Sequence, residues 1–367
     1  MNAPRGGSGT SQLLIDAIHD PRRLTELSLS QWERALSCAR RNAVLAYLAQ
    51  RAESIGILDN LPEKPRAALH SARVAAARLA QLANWEIDRV HRALAPAGIP
   101  IIALKGLAYI LRGMPHATTR ILTDIDILVP TDRIEAAEQA LLAGGWRGTK
   151  LDPYDQRYYR RWSHEIPPLQ YPGRLLGVDV HHTVCPPSSR LRPDPQRLWA
   201  DSEPTEVGVG VLCPTDSVLH AAIHLFFDSD FDSRFRDLID LHEMLALFAT
   251  DDRFWTALIA RARAQGVGRP LYYAFETLVT VLRTPIPESA RVEVREFGPP
   301  LPVARWMTRT LQNVLTPADP QRWPPKHRGL LWLLYVRSHW LRMPPYALAV
   351  HLTRKALRGS RESAVDV

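Results

Sequence analysis

The chain has 367 residues, 46% of them hydrophobic and 23% charged, so a folded globular protein of two or three domains is expected and disorder over most of its length is excluded. The formal charge is +8, from 46 Lys and Arg against 38 Asp and Glu, and it is unevenly placed: residues 320–367 hold nine cations against two acids. Cys38, Cys185 and Cys213 are far apart and odd in number, which excludes a disulfide scaffold and suits a reducing compartment, so a cytoplasmic location is expected. The apolar stretch after Thr10 is broken by Asp16, His19 and Asp20, unlike a signal-peptide core. The most apolar run, Gly329 to Val336, is too short to span a bilayer, so no transmembrane segment is expected.

From Ser11 to Ala95 the chain reads as helical, with Leu69, Ala72, Ala76, Leu79 and Ala83 at three and four spacing and turns around Pro62 and Pro65. The turn Pro96-Ala97-Gly98 changes the texture. Ile101 to Leu104 follows as a short buried strand, and Leu107 to Arg112 as a helix stopped at Gly113-Met114-Pro115. Arg120 to Pro130 is β-branched and alternates acidic with apolar residues, which predicts a second strand. Thr131 is the expected N-cap of a helix from Asp132 to Ala143, ended by Gly144-Gly145. Two more strands are expected near His164 to Tyr171 and Leu175 to Val184, turning at Pro172-Gly173. Helices return with Thr215-Asp216 capping a segment to Phe227, and with Arg234 to Leu247. The expected division is a helical region over 1–96, an α/β core over 97–212, a helical domain over 213–316 and a basic, aromatic-rich helical tail over 317–367.

Asp124-Ile125-Asp126 is the sharpest chemical feature. On a strand, positions i and i+2 share a face, so the two carboxylates project together while Ile125 and Ile127 point into the core. Carboxylates held that close repel and are kept ionised by a divalent cation between them, although a solvated edge strand would show the same pattern. Asp179 alternates with Val178 and Val180 and offers a third oxygen, as two-metal phosphoryl transfer would need. Lys105, one of only five lysines, and Gly106 form a turn able to meet phosphates through ammonium and backbone N–H groups. Arg120 is a second phosphate candidate.

His220 and His224 lie i, i+4 on one helix face, a spacing that binds zinc, but no third ligand is evident in the sequence and packing along the cleft is favoured. His181 shares the pleat of Asp179 and approaches the same site, whereas His164 reads as core or surface. Arg236, Asp237 and Asp240 read as an internal salt-bridge set. In the tail, Leu330 to Leu341 is expected to pack on the helical domain with its arginines toward water. The alternative is an anionic contact, to RNA or lipid, through Trp323, Trp332, Tyr335, Trp340 and Tyr346 with the arginines.

The run Leu104-Lys105-Gly106, then Arg120, then Thr123 to Pro130, then Val178-Asp179-Val180-His181 resembles the nucleotidyltransferase superfamily, and within it the branch known only as nucleotidyltransferase family proteins. The resemblance implies an α+β fold in which a polymerase-beta-like mixed β-sheet with flanking helices is embedded between helical N- and C-terminal regions. It also implies that Asp124, Asp126 and Asp179 are catalytic and hold Mg²⁺ as a two-metal site, with Mn²⁺ as an alternative. Asp179 would help deprotonate the acceptor, and Lys105, Gly106, Arg120 and Thr123 would contact the NTP substrate. His181, His220 and His224 are candidates to face substrate. The implied reaction moves an NMP from an NTP to a hydroxyl or phosphate acceptor, be it a small molecule, peptide or RNA. Gly106 is followed by Leu107 where the superfamily has Gly-Ser or Gly-Gly, which leaves open a non-catalytic nucleotide-binding accessory protein of a peptide or natural-product pathway. The basic tail leaves open a toxin-like transferase acting on tRNA.

Overall fold

The computed structural model of the chain describes residues 9–149, 163–227, 231, 234–317, 325–343 and 348. Four helices precede the sheet: α1 Gly9–His19, α2 Leu29–Arg41, α3 Leu45–Ser54 and α4 Glu63–Leu94. Helix α2 begins in a capping box, with the Ser28 hydroxyl accepting from the Gln31 N–H while the Gln31 side chain accepts from the Ser28 N–H. Pro65 does not interrupt α4, because it lies in the first turn, where a missing N–H costs nothing. Leu69, Ala76, Ala80, Ala83, Ile87, Val90 and Leu94 then bury one stripe along the helix.

Among the described residues the sheet has seven strands: β1 Ile102–Leu104, β2 Asp124–Leu128, β3 Arg147–Gly148, β4 Leu169–Gln170, β5 Gly177–His181, β6 Glu203–Pro204 and β7 Gly210–Val211. Their order is β3-β4-β5-β2-β1-β7-β6. It is mixed: β1 is antiparallel to β2 and parallel to β7, and β2 is parallel to β5. The extended run expected from Arg120 is paired strand only from Asp124, and a 3-10 turn over Ala117–Thr119 precedes the run. Helices α5 Lys105–Leu111 and α6 Ile134–Ala143 follow β1 and β2. Thr131 does not cap α6; its hydroxyl donates to the His182 carbonyl at 2.8 Å, and a 3-10 turn over Thr131–Arg133 leads into the helix.

Beyond the sheet lie α7 Pro195–Ala200, α8 Pro214–Phe227, α9 Phe235–Phe248, α10 Asp252–Ala264, α11 Gly268–Val281, α12 Glu288–Val294, α13 Leu301–Leu315 and α14 Pro325–Arg342. Asp216, expected as a cap, lies inside α8 and is buried against Arg261, which donates at 2.6 and 2.8 Å. Helix α14 packs through Leu334, Ser338 and His339, and two of its arginines are half-buried where water was expected. Arg337 and Arg342 donate to the carbonyls of Phe226 and Phe227, satisfying orphan acceptors at the end of α8. Trp323, Tyr346 and the arginines from Arg354 onward lie outside the described residues.

One continuous apolar core joins residues from Leu14 to Leu334, and it includes the inward face of the sheet, Ala103, Ile125, Ile127, Val178 and Val180. A small second cluster, Ile102, Leu104, Leu128, Val184, Leu198 and Leu212, lies on the other face. No helix among the described residues is long and apolar enough to cross a membrane.

Candidate active site

Strand register builds the site. In the parallel pair β2–β5, Asp124 faces Gly177, Asp126 faces Asp179 and Leu128 faces His181. Because alternate residues share a face, Asp124, Asp126, Asp179 and His181 project together, opposite the fully buried Ile125, Ile127, Val178 and Val180. Leu104 pairs with Asp126 from the other side, so the residue after it is delivered to the same carboxylate. That residue is Lys105, whose φ of 48° lies in the left-handed region, at a cost of about 1–2 kcal/mol for a residue with a Cβ. Its ammonium reaches Asp126 Oδ1 at 2.5 Å. His181 Nε2 is 3.0 Å from the same oxygen and 3.5 Å from Glu165 Oε2.

The carboxylates divide by environment. Burial alone would push the Asp126 carboxyl up, but Lys105 and His181 hold it well below the usual carboxylate range. Burial, reinforced by Asp126, Glu165 and Asp124, pushes Asp179 up to about 7. Burial and Asp126 also raise Asp124. Burial opposes the charge on Lys105, yet Asp126 outweighs it and the ammonium is retained. Among the described residues neither Asp124 nor Asp179 makes an ion pair.

Helix α8 brings His220 and His224 close enough to Lys105 for its charge to act on both. Burial first, then that charge, lowers His220 to about 3 and takes His224 well below its ordinary value. His164 is neutralised in the same way, by burial and then by His181, against which its ring lies at 5.1 Å between centroids.

Thr123 is exposed and its hydroxyl donates to Asp124 Oδ2 at 3.2 Å. Arg120, expected at the phosphates, is instead tied to α9: it donates to Asp237 Oδ1 at 3.2 Å and pairs with Asp240. A Cβ on Gly106 would meet Leu122 Cδ2 at 2.6 Å and Arg120 Nε at 3.2 Å, so the glycine admits the close approach of these two side chains. Arg236 forms the expected internal set, with Asp240 at 3.2 Å and the carbonyls of Thr119 and His116. Glu165 had no signal in the sequence. A single acid beside a histidine fits no spacing rule, and only the isolated bridge between Glu165 and His181 brings it to the site.

Residues 28–283, more than half of the chain, match the sequence profile of a family described as an uncharacterised nucleotidyltransferase. The chain belongs to that family. The matched segment of this nucleotidyltransferase-family protein runs from the N-cap of α2 to just beyond α11 and takes in Lys105, the three aspartates and the histidines of β5 and α8. The mixed sheet with flanking helices accords with that membership. No curated protein and no solved structure matches the chain.

Proposed function

We propose that this protein transfers a nucleoside monophosphate from an NTP to a hydroxyl or phosphate acceptor and releases pyrophosphate. The observation that carries this reading is the pairing of Asp126 with Asp179, with Asp124 on the same face, in a chain of this family. The donor set suits a hard divalent cation: all three are carboxylates, and two of them lack a cation partner among the described residues. Asp124 and Asp179, with Asp126 between them, would hold Mg²⁺, which when bound supplies charge neutralisation at the phosphates.

The remaining work falls to the chain itself. Asp179, paired with Asp126 on the same face of the sheet, would take the proton of the acceptor hydroxyl. The acceptor oxygen then attacks the α-phosphorus, the bond to the β-phosphate oxygen breaks, and pyrophosphate leaves with the electron pair. Lys105 presents a fixed positive charge to the phosphate oxygens, and the neutral His220 and His224 line the same region without adding charge. Arg120 is held by Asp237 and Asp240, so a contact with the NTP would require it to leave one of them. The test is incubation with each labelled NTP, Mg²⁺ and a cell extract, scoring labelled products and pyrophosphate. Asp126→Asn and Asp179→Asn should each lower turnover at least 100-fold, and full activity in either variant removes the reading.

One observation favours a second reading, nucleotide binding without turnover. The Lys105 ammonium already occupies an oxygen of Asp126, which reduces the capacity of the site for a second ion. Calorimetry with ATP and Mg²⁺ alongside the pyrophosphate assay separates the two, since binding without pyrophosphate release selects the accessory role.

A further inference from the structure

Beside the aspartates lies a second group of ligand atoms with different chemistry. His164, Glu165 and His181 each offer one donor atom, and these atoms all lie within 4.8 Å of one another. The backbone fixes them: Glu165 bridges to His181, the Ile166 N–H donates to the Val180 carbonyl at 3.0 Å, and the His182 N–H donates to the His164 carbonyl at 2.9 Å. His181 is 1% exposed, and its Nδ1, like that of His164, is buried without a hydrogen-bond partner. A buried, unpartnered ring nitrogen is costly to a fold, by about 1–3 kcal/mol.

We propose that His164, Glu165 and His181 form a site for a divalent transition metal of the zinc class, distinct from the hard-cation ligands Asp124 and Asp179. Two imidazoles and a carboxylate match the borderline character of such ions, whereas Mg²⁺ takes oxygen donors almost exclusively. Donors in a tetrahedral zinc site stand about 3.4 Å apart, given bonds of about 2.1 Å, so modest side-chain rotation closes the observed spacing. His181 Nε2 already faces two carboxylates, Asp126 Oδ1 at 3.0 Å and Glu165 Oε2 at 3.5 Å, so a metal held there with Glu165 would take the place of the Asp126 contact. The three residues leave a fourth position for water or a phosphate oxygen. The nearby Lys105 charge is offset by Asp126, Glu165 and Asp179.

The test uses the full chain, stripped of metal and kept in excess Mg²⁺ so that oxygen-only sites are filled. Titration with Co²⁺, read by its visible absorption, and with Zn²⁺, read by calorimetry, should each give one equivalent. His164→Ala and Glu165→Gln should weaken both at least tenfold, with circular dichroism and melting confirming the fold. Glu165→Gln preserves shape and keeps the test decisive if His164→Ala does not fold. Asp124→Asn should bind Zn²⁺ like the wild type while losing pyrophosphate release. Wild-type affinity in Glu165→Gln, or equal loss of Zn²⁺ in Asp124→Asn, would overturn the proposal. Zinc binding that follows the expected pattern in a protein that releases no pyrophosphate would sustain this site and remove the transferase reading.

Discussion

In the metal-free protein, burial and then the charges of Asp126, Glu165 and Asp124 push the Asp179 carboxyl up to about 7, against about 3.9 in an unfolded chain. Folding therefore favours the protonated form. Stability from this group is complete below about pH 4, declines as pH rises, and is fully lost above about pH 7. Asp179→Asn should make the metal-free protein more stable than wild type at pH 8 by roughly 2–4 kcal/mol, with the gain shrinking toward zero near pH 4. Urea unfolding in the presence of a chelator measures it, and a gain that does not depend on pH would mean that titration of the Asp179 carboxyl is not its source. Gly106 carries a different kind of constraint. An added methyl group would press on Leu122 and Arg120, so Gly106→Ala should destabilise by about 1–3 kcal/mol as those side chains shift. An unchanged urea midpoint would show that the close approach is not needed.

The strand that carries Asp179 is held in place from outside the sheet. Glu86 on α4, 2% exposed, accepts from Arg174 at 3.0 and 3.2 Å and from the Trp146 indole at 3.1 Å. Arg174 in turn lies 3.5 Å over the Tyr171 ring, in the turn between β4 and β5. Glu86→Ala would strand a guanidinium and an indole N–H, at a cost of about 3–5 kcal/mol. It should raise hydrogen exchange over residues 169–181 more than elsewhere; equal exchange across the sheet would mean the anchor is not specific to the hairpin. None of this anchor was legible from sequence, since Glu86 and Arg174 are 88 residues apart. The alternation that placed Asp124, Asp126 and Asp179 on one face was legible, because a strand's period of two is written in consecutive residues. Strands β3, β6 and β7, two residues each, are too short to leave any period.

Across the whole molecule, the same division between local pattern and distant contact decides what the sequence could reveal. Lys105 stood out by rarity, but its contact with Asp126 depends on sheet register, and the capture of Arg120 by Asp237 spans 117 residues. Helix α9 clasps the segment before β2 through Arg236, which donates to the Thr119 and His116 carbonyls. His116 is buried in that clasp, and burial, followed by the charges of Arg236 and Arg120, lowers it to about 3. An unfolded chain protonates this imidazole near pH 6.5, so between about pH 6.5 and 3 the unfolded state takes up a proton that the folded state refuses. The associated stability is fully present above pH 6.5 and falls with pH, by about 2 kcal/mol at pH 5. Asp179 titrates with the opposite sign over part of this range, so the wild-type curve alone does not isolate His116. The difference between wild type and His116→Asn does: whatever packing the substitution disturbs at pH 7, the gap in unfolding free energy should narrow by about 2 kcal/mol at pH 5. A gap of constant size from pH 7 to pH 5 would mean that His116 is protonated within the clasp, and that α9 tolerates a third positive charge beside Arg120 and Arg236.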